Sequence, residues 1–350
     1  MNPENALAPA GTQKASAQAH PTHPTHPTHP THPTHPTHPT HPTHPTHPTH
    51  PTHPTHPAPW HRIVIGTPGP EFEALPPGQY DFDFPDTECD GWSTTELAMR
   101  FASVRGAKHR YYRQPRQDAA RAAVHTATGS IVFAVADGVS SASSSEQGAV
   151  AACQAALDRL LHLLDQPGEP IDLRDVACHA ADRLRELTRW RLGGRDPEFS
   201  EVAGLYATTL VAGVVRPQPV GPLVELCRIG DSGAWTLDRS RGQFLPLFPT
   251  KTGSDVLLVS STVTPLPHVP DPLEQTSRRL SSHEALLIGT DGFADPLGDG
   301  DGQVGSLFAR HLAHPPPPLW FAHLLDFSRE TFDDDRTLLT IWPTTPEGQW

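Results

Sequence analysis

The sequence predicts an α+β fold in which antiparallel sheets are covered by helices. Strand-like apolar runs follow one another in the C-terminal half of the chain, without the regular strand–helix alternation of a doubly wound parallel sheet. Two long segments before them carry apolar residues at helical spacing. Almost no aliphatic side chains occur before residue 60, so the core of this 350-residue chain is expected to form from its C-terminal three quarters.

The N-terminal composition predicts a disordered arm over residues 1–59. A Pro-Thr-His repeat occupies residues 20–57 and places a proline at every third position, where it cannot donate a hydrogen bond to a helix or an inner strand. Its thirteen imidazoles indicate a capacity to capture zinc, nickel or copper. Expansion of a short DNA repeat, tolerated because the segment is solvated, explains the same pattern without a function, and both interpretations stay open.

Residues 60–92 predict a linker that docks in part on the folded domain. One apolar run, Ile63-Val64-Ile65, interrupts its mixed composition. The acidic stretch from Tyr80 to Asp90 places aspartates around Phe82 and Phe84, which fits an edge strand with one solvated face better than a metal site.

The folded domain itself is expected over residues 93–345. Apolar runs predict strands at 97–104, 131–136, 207–215, 223–229, 233–237, 285–288 and 337–342. Helical spacing predicts helices at 147–164, 172–190 and 319–331, and Asp172 is the expected N-cap of the second helix.

Charge and cysteine content exclude several classes of protein. The chain has 26 basic and 39 acidic residues and a net charge of −13, which argues against a nucleic-acid partner. The four cysteines lie far apart without a Cys-x-x-Cys pair, as expected of a cytoplasmic protein and not of a disulfide scaffold or a zinc ribbon. The sequence has neither a signal-peptide pattern nor an apolar run of about eighteen residues, so no membrane partner is expected.

Aspartates stand at the ends of several predicted strands. Asp137, Asp231 and Asp291 each follow a strand, and Asp334, within a run of three aspartates, precedes the last one. Each aspartate alone is most simply a turn residue. Carboxylates gathered at one edge of a sheet would repel one another unless hard divalent cations lay between them, and oxygen ligands suit Mg²⁺ or Mn²⁺. The set therefore predicts a site for two metal ions.

Six short motifs follow one another along the domain. They are Arg113-Gln114-Pro115-Arg116-Gln117-Asp118, Ala136-Asp137-Gly138-Val139-Ser140, Ala207-Thr208-Thr209-Leu210, Gly230-Asp231-Ser232-Gly233-Ala234, Thr290-Asp291-Gly292-Phe293-Ala294-Asp295 and Asp334-Asp335-Arg336-Thr337. One such string is weak evidence because Asp-Gly and Asp-Ser are common in turns, but six in order over about 220 residues are specific. Together they resemble the type 2C metal-dependent serine/threonine protein phosphatases (the PPM family) of bacteria.

This resemblance implies a four-layer α-β-β-α sandwich of two antiparallel sheets. It also implies hydrolysis of phosphoserine and phosphothreonine in proteins by a water that two Mn²⁺ or Mg²⁺ ions activate, without a covalent phospho-enzyme. Phosphorylated proteins and a cognate serine/threonine kinase are the implied partners, and the chain is expected to be a monomer. By the same resemblance, Asp137 bridges the two ions, and the Gly138 carbonyl, Asp291 and Asp334 complete their ligands.

Further residues receive roles by resemblance. Asp118 matches a position that contacts the metal through water. Asp231 and Asp295 match positions that hold a third, weaker ion. Arg113 matches the arginine that binds the phosphate, so that Arg113, Asp137 and Asp291 form the expected catalytic set.

The chain also departs from the family pattern. Arg116 replaces an asparagine, Val139 stands where animal relatives carry a histidine proposed as general acid, and Gly233 replaces an arginine. The Pro-rich segment 265–272 suggests an altered flap and substrate surface. Three other functions stay open: an inactive phosphatase-like sensor or scaffold, a metal-binding protein that works through its His-rich arm, and a phosphatase of small molecules.

Overall fold

Two antiparallel β-sheets form the centre of the structure. The computed structural model describes residues 60–71, 83–166, 168, 170–249 and 264–344. The strands of these residues are β1 (Thr87–Ser93), β2 (Leu97–Val104), β3 (Asp118–His125), β4 (Ser130–Asp137), β5 (Leu210–Arg216), β6 (Leu223–Ile229), β7 (Gly233–Asp238), β8 (Gln243–Pro246), β9 (Glu274–Arg279), β10 (Glu284–Gly289) and β11 (Arg336–Pro343). One sheet has the order β1-β2-β11-β10-β7-β8 and the other β3-β4-β5-β6-β9, and all neighbouring strands run antiparallel.

Helices cover the outer face of each sheet. The helices of the described residues are α1 (Ala107–Tyr112), α2 (Ser145–Leu164), α3 (Leu173–Arg191), α4 (Phe199–Tyr206), α5 (Asp291–Leu297), α6 (Gln303–His311) and α7 (Pro318–Leu325), of which α2 to α7 cover the sheets. Helices α2 to α4 share an apolar core with the five-stranded sheet, and α5 to α7 share another with the six-stranded sheet. A third core lies between the two sheets. The predicted four-layer α-β-β-α sandwich is thereby confirmed.

Strand β4 explains how an uninterrupted apolar run produces a central strand. Successive side chains of a strand point to opposite faces. Ile131, Phe133 and Val135 lie in the core between the sheets, whereas Val132 and Ala134 lie in the core shared with the helices. Both faces of the strand are therefore buried, and no polar alternation is needed.

Two predicted elements differ in length from the structure. The strand predicted at 207–215 begins only at Leu210, because helix α4 occupies the chain up to Tyr206. The helix predicted at 319–331 ends at Leu325, since the backbone after it turns to pair with the first described segment. The Asp172 side chain caps α3 by accepting hydrogen bonds from the backbone N–H groups of Arg174 and Asp175, as predicted.

The first described segment, residues 60–71, packs on the domain. Ile65 is buried, and its N–H donates to the Ser328 carbonyl at 3.0 Å. The Arg62 guanidinium pairs with the Asp326 carboxylate at 2.8 Å. These contacts fit the prediction of a segment that docks in part.

The acidic stretch before β1 forms ion pairs within the domain. Asp86 contacts Arg105 at 2.9 Å and Arg110 at 2.8 Å. Burial tends to raise the pKa of Asp86, but the two guanidinium groups outweigh burial and the net shift is downward. Strand β1 lies at the edge of its sheet, as expected, although it begins at Thr87. Asp86 therefore acts as an ion-pair partner.

Some predictions concern residues that the structure does not describe. The Pro-Thr-His repeat, residues 80–82 and the predicted domain end at 345 lie outside the described residues. All four cysteines are described and are free thiols. None of the helices within the described ranges has the length and hydropathy needed to cross a bilayer.

Candidate active site

The two sheets bring their aspartates together at strand ends. Asp118 opens β3 and lies directly opposite Asp137, the last residue of β4. Asp291 follows β10 and begins α5, and Asp334 precedes β11, the neighbour of β10. Residues separated by more than 200 positions in the sequence thus meet at one edge of the sandwich.

The backbone of Asp137 is held by hydroxyl groups, which leaves its carboxylate available to the site. Its N–H donates to Thr209 Oγ1 at 2.9 Å. Its carbonyl accepts the Thr208 hydroxyl and the Thr209 N–H, both at 2.8 Å. Thr209 Oγ1 also lies 2.8 Å from the Oγ atom of Ser232, which is the residue that follows Asp231. Three of the sequence motifs are therefore joined through these hydroxyls.

Burial and the charges of neighbouring carboxylates both raise the pKa of Asp137. The residue keeps some exposure, but protein surrounds its carboxylate, and this burial raises the pKa of Asp137 well above its ordinary value. The charges of Asp118, Asp291 and Asp334 raise it further. The strongest electrostatic effects on Asp137 thus come from other carboxylates.

Asp291 connects this group to the remaining predicted ligands. Burial raises the pKa of Asp291 to about 6, opposed by a hydrogen bond with Asp137. The charges of Asp231, Asp334 and Asp295 also raise the pKa. All six predicted aspartates therefore belong to one electrostatic cluster, which we call the aspartate cluster: Asp118, Asp137, Asp231, Asp291, Asp295 and Asp334.

Asp118 is the most deeply buried member of the cluster. Its Oδ2 accepts a hydrogen bond from Thr290 Oγ1 at 2.7 Å. The Thr290 N–H donates to the Thr337 carbonyl in β11, and the Thr337 N–H donates to Thr290 Oγ1, both at 3.1 Å. Burial raises the pKa of Asp118 well above its ordinary value, and the charge of Asp335 adds to this shift. Thr290 thus fixes one oxygen of Asp118. The role of Asp118 as a metal contact through water stays a prediction.

The chemistry of the cluster fits divalent cations. Carboxylates that raise one another's pKa carry negative charge that is poorly compensated, and a hard cation provides the missing compensation. Oxygen donors of this kind suit Mg²⁺ or Mn²⁺. The residues present therefore fit the metal ions that the sequence motifs imply.

Gly138 lies against the start of α2. Its N–H donates to the Gln117 carbonyl at 3.2 Å, and a Cβ atom at this position would lie 2.7 Å from the Ser145 carbonyl oxygen. Only glycine allows this approach of two backbones. The role of the Gly138 carbonyl as a metal ligand stays a prediction.

Arg113 is the exposed member of three neighbouring arginines. It ends α1 in the left-handed conformation, with φ of 57°. Arg110 pairs with Asp86 and Asp326, and the buried Arg116 pairs with Glu88 at 2.7 Å. No contact joins Arg113 to the aspartate cluster within the described part of the chain, so its phosphate-binding role stays a prediction.

The sequence reasoning missed His109 and Asp335. His109 lies on α1 and is only 2% exposed, with Nδ1 at 2.7 Å from Asp335 Oδ2 and Nε2 at 3.7 Å from Asp334 Oδ1. Burial tends to lower the pKa of His109, but the carboxylates of Asp335, Asp334 and Asp118 raise it above its ordinary value. His109 is a lone histidine in a basic stretch, and nothing in the sequence around it indicates a functional site. Asp335 could have been noticed as the neighbour of Asp334.

The residues that depart from the family pattern surround the same edge. The Val139 N–H donates to the Ala207 carbonyl at 2.9 Å. Leu266, in the Pro-rich segment, pairs with Thr208, which in turn pairs with Gly138. The Pro-rich segment therefore lies beside the motif that contains Asp137.

A separate cavity of about 480 Å³ lies elsewhere in the domain. Strands β7 and β8 line it, together with residues that include Arg278, Asp299 and Asp301. None of the six aspartates contributes to its wall. The cavity is therefore distinct from the aspartate cluster.

Comparison with known proteins gives one sequence family and a set of similar folds. The family model for protein phosphatase 2C matches residues 105–318. No curated protein matches the chain. Similar solved structures include RsbX in complex with magnesium, at 11% identity and a TM-score of 0.47, covering 73% of this chain and 100% of that one.

Two further structures are similar at the level of the fold. The catalytic domain of the serine threonine protein phosphatase PstP, in complex with 2 manganese ions, is 17% identical with a TM-score of 0.45, and the match covers 71% of this chain and 99% of that one. PppA, described as a key regulatory component of T6SS in Pseudomonas aeruginosa, is 16% identical with a TM-score of 0.42, covering 75% and 99%.

Proposed function

Since the chain belongs to the protein phosphatase 2C family and is a metal-dependent serine/threonine phosphatase, we propose that its catalytic centre is the aspartate cluster. The observation that carries this proposal is geometric: Asp118 and Asp137 lie opposite each other at the ends of β3 and β4, and Asp291 and Asp334 lie at the ends of the neighbouring strands β10 and β11. The raised pKa values of Asp118, Asp137 and Asp291 support it. Perturbed carboxylates that gather in this way are typical of functional sites.

Each member of the cluster receives a role in the proposal. Asp137, Asp291, Asp334 and the Gly138 carbonyl would hold two ions, and Asp137 would be shared by both. Asp118, fixed by Thr290, would act through water. The remaining members, Asp231 and Asp295, would hold a third, weaker ion.

The reaction is the hydrolysis of a phosphate monoester. Bound Mg²⁺ or Mn²⁺ would supply an activated water and neutralise charge on the phosphoryl oxygens. The chain's own residues orient the reactants: the exposed Arg113 guanidinium offers a planar fork of donors to two phosphate oxygens. The threonines around Asp137 hold its backbone, so that its carboxylate keeps one orientation.

The proposal extends to the substrates, the cellular compartment and the oligomeric state of the enzyme. We infer that the substrates are proteins phosphorylated on serine or threonine by a cognate kinase, and that the enzyme is a cytoplasmic monomer. Four free thiols support a reducing compartment. We also propose that residues 93–345 act as the catalytic unit without the N-terminal arm. Size-exclusion chromatography with light scattering tests the monomer.

One experiment tests the proposed activity. The full chain is incubated with a phosphothreonine peptide in the presence of Mn²⁺, with excess chelator and the Asp137→Asn variant as controls. We expect Mn²⁺-dependent release of phosphate that both controls abolish. Tight Mn²⁺ binding without turnover would instead identify a scaffold, and turnover of small esters alone would identify a small-molecule phosphatase.

A further inference from the structure

The Nε2 atom of His109 faces the aspartate cluster without a hydrogen-bond partner. Both ring nitrogens are buried; the Asp335 carboxylate lies against Nδ1, whereas Nε2 makes no hydrogen bond with any described residue. Nε2 nevertheless lies 3.7 Å from Asp334 Oδ1 and Nδ1 lies 2.7 Å from Asp335 Oδ2. A buried polar group without a partner is costly, so its position calls for a ligand.

We propose that His109 Nε2 binds one divalent cation of the centre together with Asp334, and that this nitrogen ligand shifts the preference of the centre from Mg²⁺ toward Mn²⁺. The inference rests on the proposed function, because it assigns a new ligand to the same centre. It concerns a residue outside all six sequence motifs.

The separation of the two donor atoms suits a shared ion. Ligand atoms at about 2.1 Å from one octahedral cation lie about 3.0 Å apart when they are neighbours at roughly 90°. Asp334 Oδ1 and His109 Nε2 are 3.7 Å apart, so an approach of about 0.7 Å brings both into the coordination distance. Asp334 is the more exposed of the two, and its Oδ1 also accepts a hydrogen bond from the Asp335 N–H at 3.0 Å.

Asp335 orients the imidazole from the opposite side. Its Oδ1 accepts a hydrogen bond from the Gly106 N–H at 2.7 Å, and its Oδ2 accepts one from the Gln117 N–H at 2.6 Å. These backbone donors fix the carboxylate against His109 Nδ1. A carboxylate on one ring nitrogen and a metal on the other is the usual environment of a ligating histidine. Asp335 thus selects the tautomer that leaves Nε2 available.

An imidazole ligand discriminates between cations. Mg²⁺ demands a near-ideal octahedron and is bound almost entirely by oxygen, whereas Mn²⁺ accepts oxygen and also binds nitrogen more strongly than Mg²⁺ does. Loss of His109 is therefore expected to weaken Mn²⁺ binding while it leaves Mg²⁺ binding nearly unchanged.

The alternative is that His109 is only an imidazolium ion that neutralises Asp334 and Asp335. A fixed positive charge repels every divalent cation. Its removal would then strengthen the binding of Mn²⁺ and Mg²⁺ alike, which is the opposite sign. Lys108 offers a matched control, because its Nζ lies 4.0 Å from Asp334 Oδ2 and carries charge without a metal-binding role in the proposal.

The test compares His109→Gln with Lys108→Gln by calorimetric titration of Mn²⁺ and Mg²⁺. Both changes are made in the full-length chain with the thirteen arm histidines replaced by glutamine, so that the arm contributes no background. We expect His109→Gln to weaken Mn²⁺ binding about 10- to 100-fold and Mg²⁺ binding less than about threefold. Lys108→Gln should leave the ratio of the two affinities unchanged.

A spectroscopic measurement does not depend on the stability of any variant at residue 109. Pulsed electron paramagnetic resonance of the Mn²⁺-loaded, arm-substituted chain should reveal ¹⁴N coupling from a directly bound imidazole. Absence of that coupling, or a parallel change of both affinities in His109→Gln, would overturn the proposal. Asp137→Asn distinguishes failure of this proposal from failure of the proposed function. If the aspartate cluster were not the metal centre, Asp137→Asn would bind Mn²⁺ with unchanged affinity.

Discussion

Replacement of Asp291 by asparagine should have opposite effects on stability with and without metal. In the folded, metal-free chain the pKa of Asp291 is raised from its ordinary value of 3.8 to about 6. A raised pKa contributes stability that is fully present below the unfolded value of 3.8 and is lost as the pH rises through about 6. At pH 7.5, metal-free Asp291 is therefore a destabilising charge.

The size of the effect follows from the shift. About two units at roughly 1.4 kcal/mol each give about 3 kcal/mol. Asp291 keeps some exposure and shares its proton with Asp137, so we expect about half of that value as the gain of Asp291→Asn at pH 7.5. Since one kcal/mol shifts the Tm of a domain this large by about 2–4 °C, the variant should unfold about 3–6 °C higher in chelator. The difference should shrink at pH 5.

Addition of Mn²⁺ should reverse this order. A cation at a hundred times its Kd stabilises the parent chain by about 2.7 kcal/mol, while the variant lacks a ligand and gains little. Thermal unfolding by circular dichroism at pH 5 and 7.5, in chelator and in Mn²⁺, measures all four values. Asp158→Asn, on the exposed face of α2, is the control and should follow the parent chain. A variant that is less stable in chelator and keeps the full gain from Mn²⁺ would show that Asp291 is only a turn residue.

The other predictions concern turnover and the arm. Asp231→Asn should keep Mn²⁺ binding at the main pair while turnover falls, as calorimetry and phosphate release will measure; loss of all Mn²⁺ binding would contradict a separate third ion. Arg113→Ala should raise KM for phosphopeptides more than it lowers kcat, because one bidentate contact binds phosphate before and during the reaction; an unchanged enzyme would contradict its assignment. Deletion of residues 15–57 should leave turnover of a small phosphate ester nearly unchanged, and a tenfold fall would show that the arm serves the site.

The parts of the fold that the sequence predicted are those whose burial shows in composition. Strands β4, β10 and β11 are buried on both faces and mostly apolar, so they are recognised as nearly continuous apolar runs. Strand β9, Glu274–Arg279, is polar and mostly exposed at the edge of its sheet, so nothing in its composition distinguishes it from a loop. Helices as short as α1 carry too few turns for a periodic pattern.

The same contrast applies to the site. Asp137, Asp231 and Asp291 lie at the ends of apolar strands, and this local context identified them as candidate site residues. His109 becomes part of the site only because α1 packs against the chain before β11, where Gly106 and Gly292 allow very close backbone contact with residues 333–335. Such a contact between distant segments leaves no periodic or local trace in the sequence.

The pairing of Leu266, Thr208 and Gly138 connects the Pro-rich segment to Asp137 through hydrogen bonds. Leu266 exchanges backbone hydrogen bonds with Thr208, and the Thr208 hydroxyl donates to the Asp137 carbonyl at 2.8 Å. A phosphoprotein surface that pressed on this segment would therefore displace Asp137 through only two intervening contacts. Recognition of the protein around the phosphorylated residue would then also move the Asp137 carboxylate, and a short phosphopeptide would lack this effect.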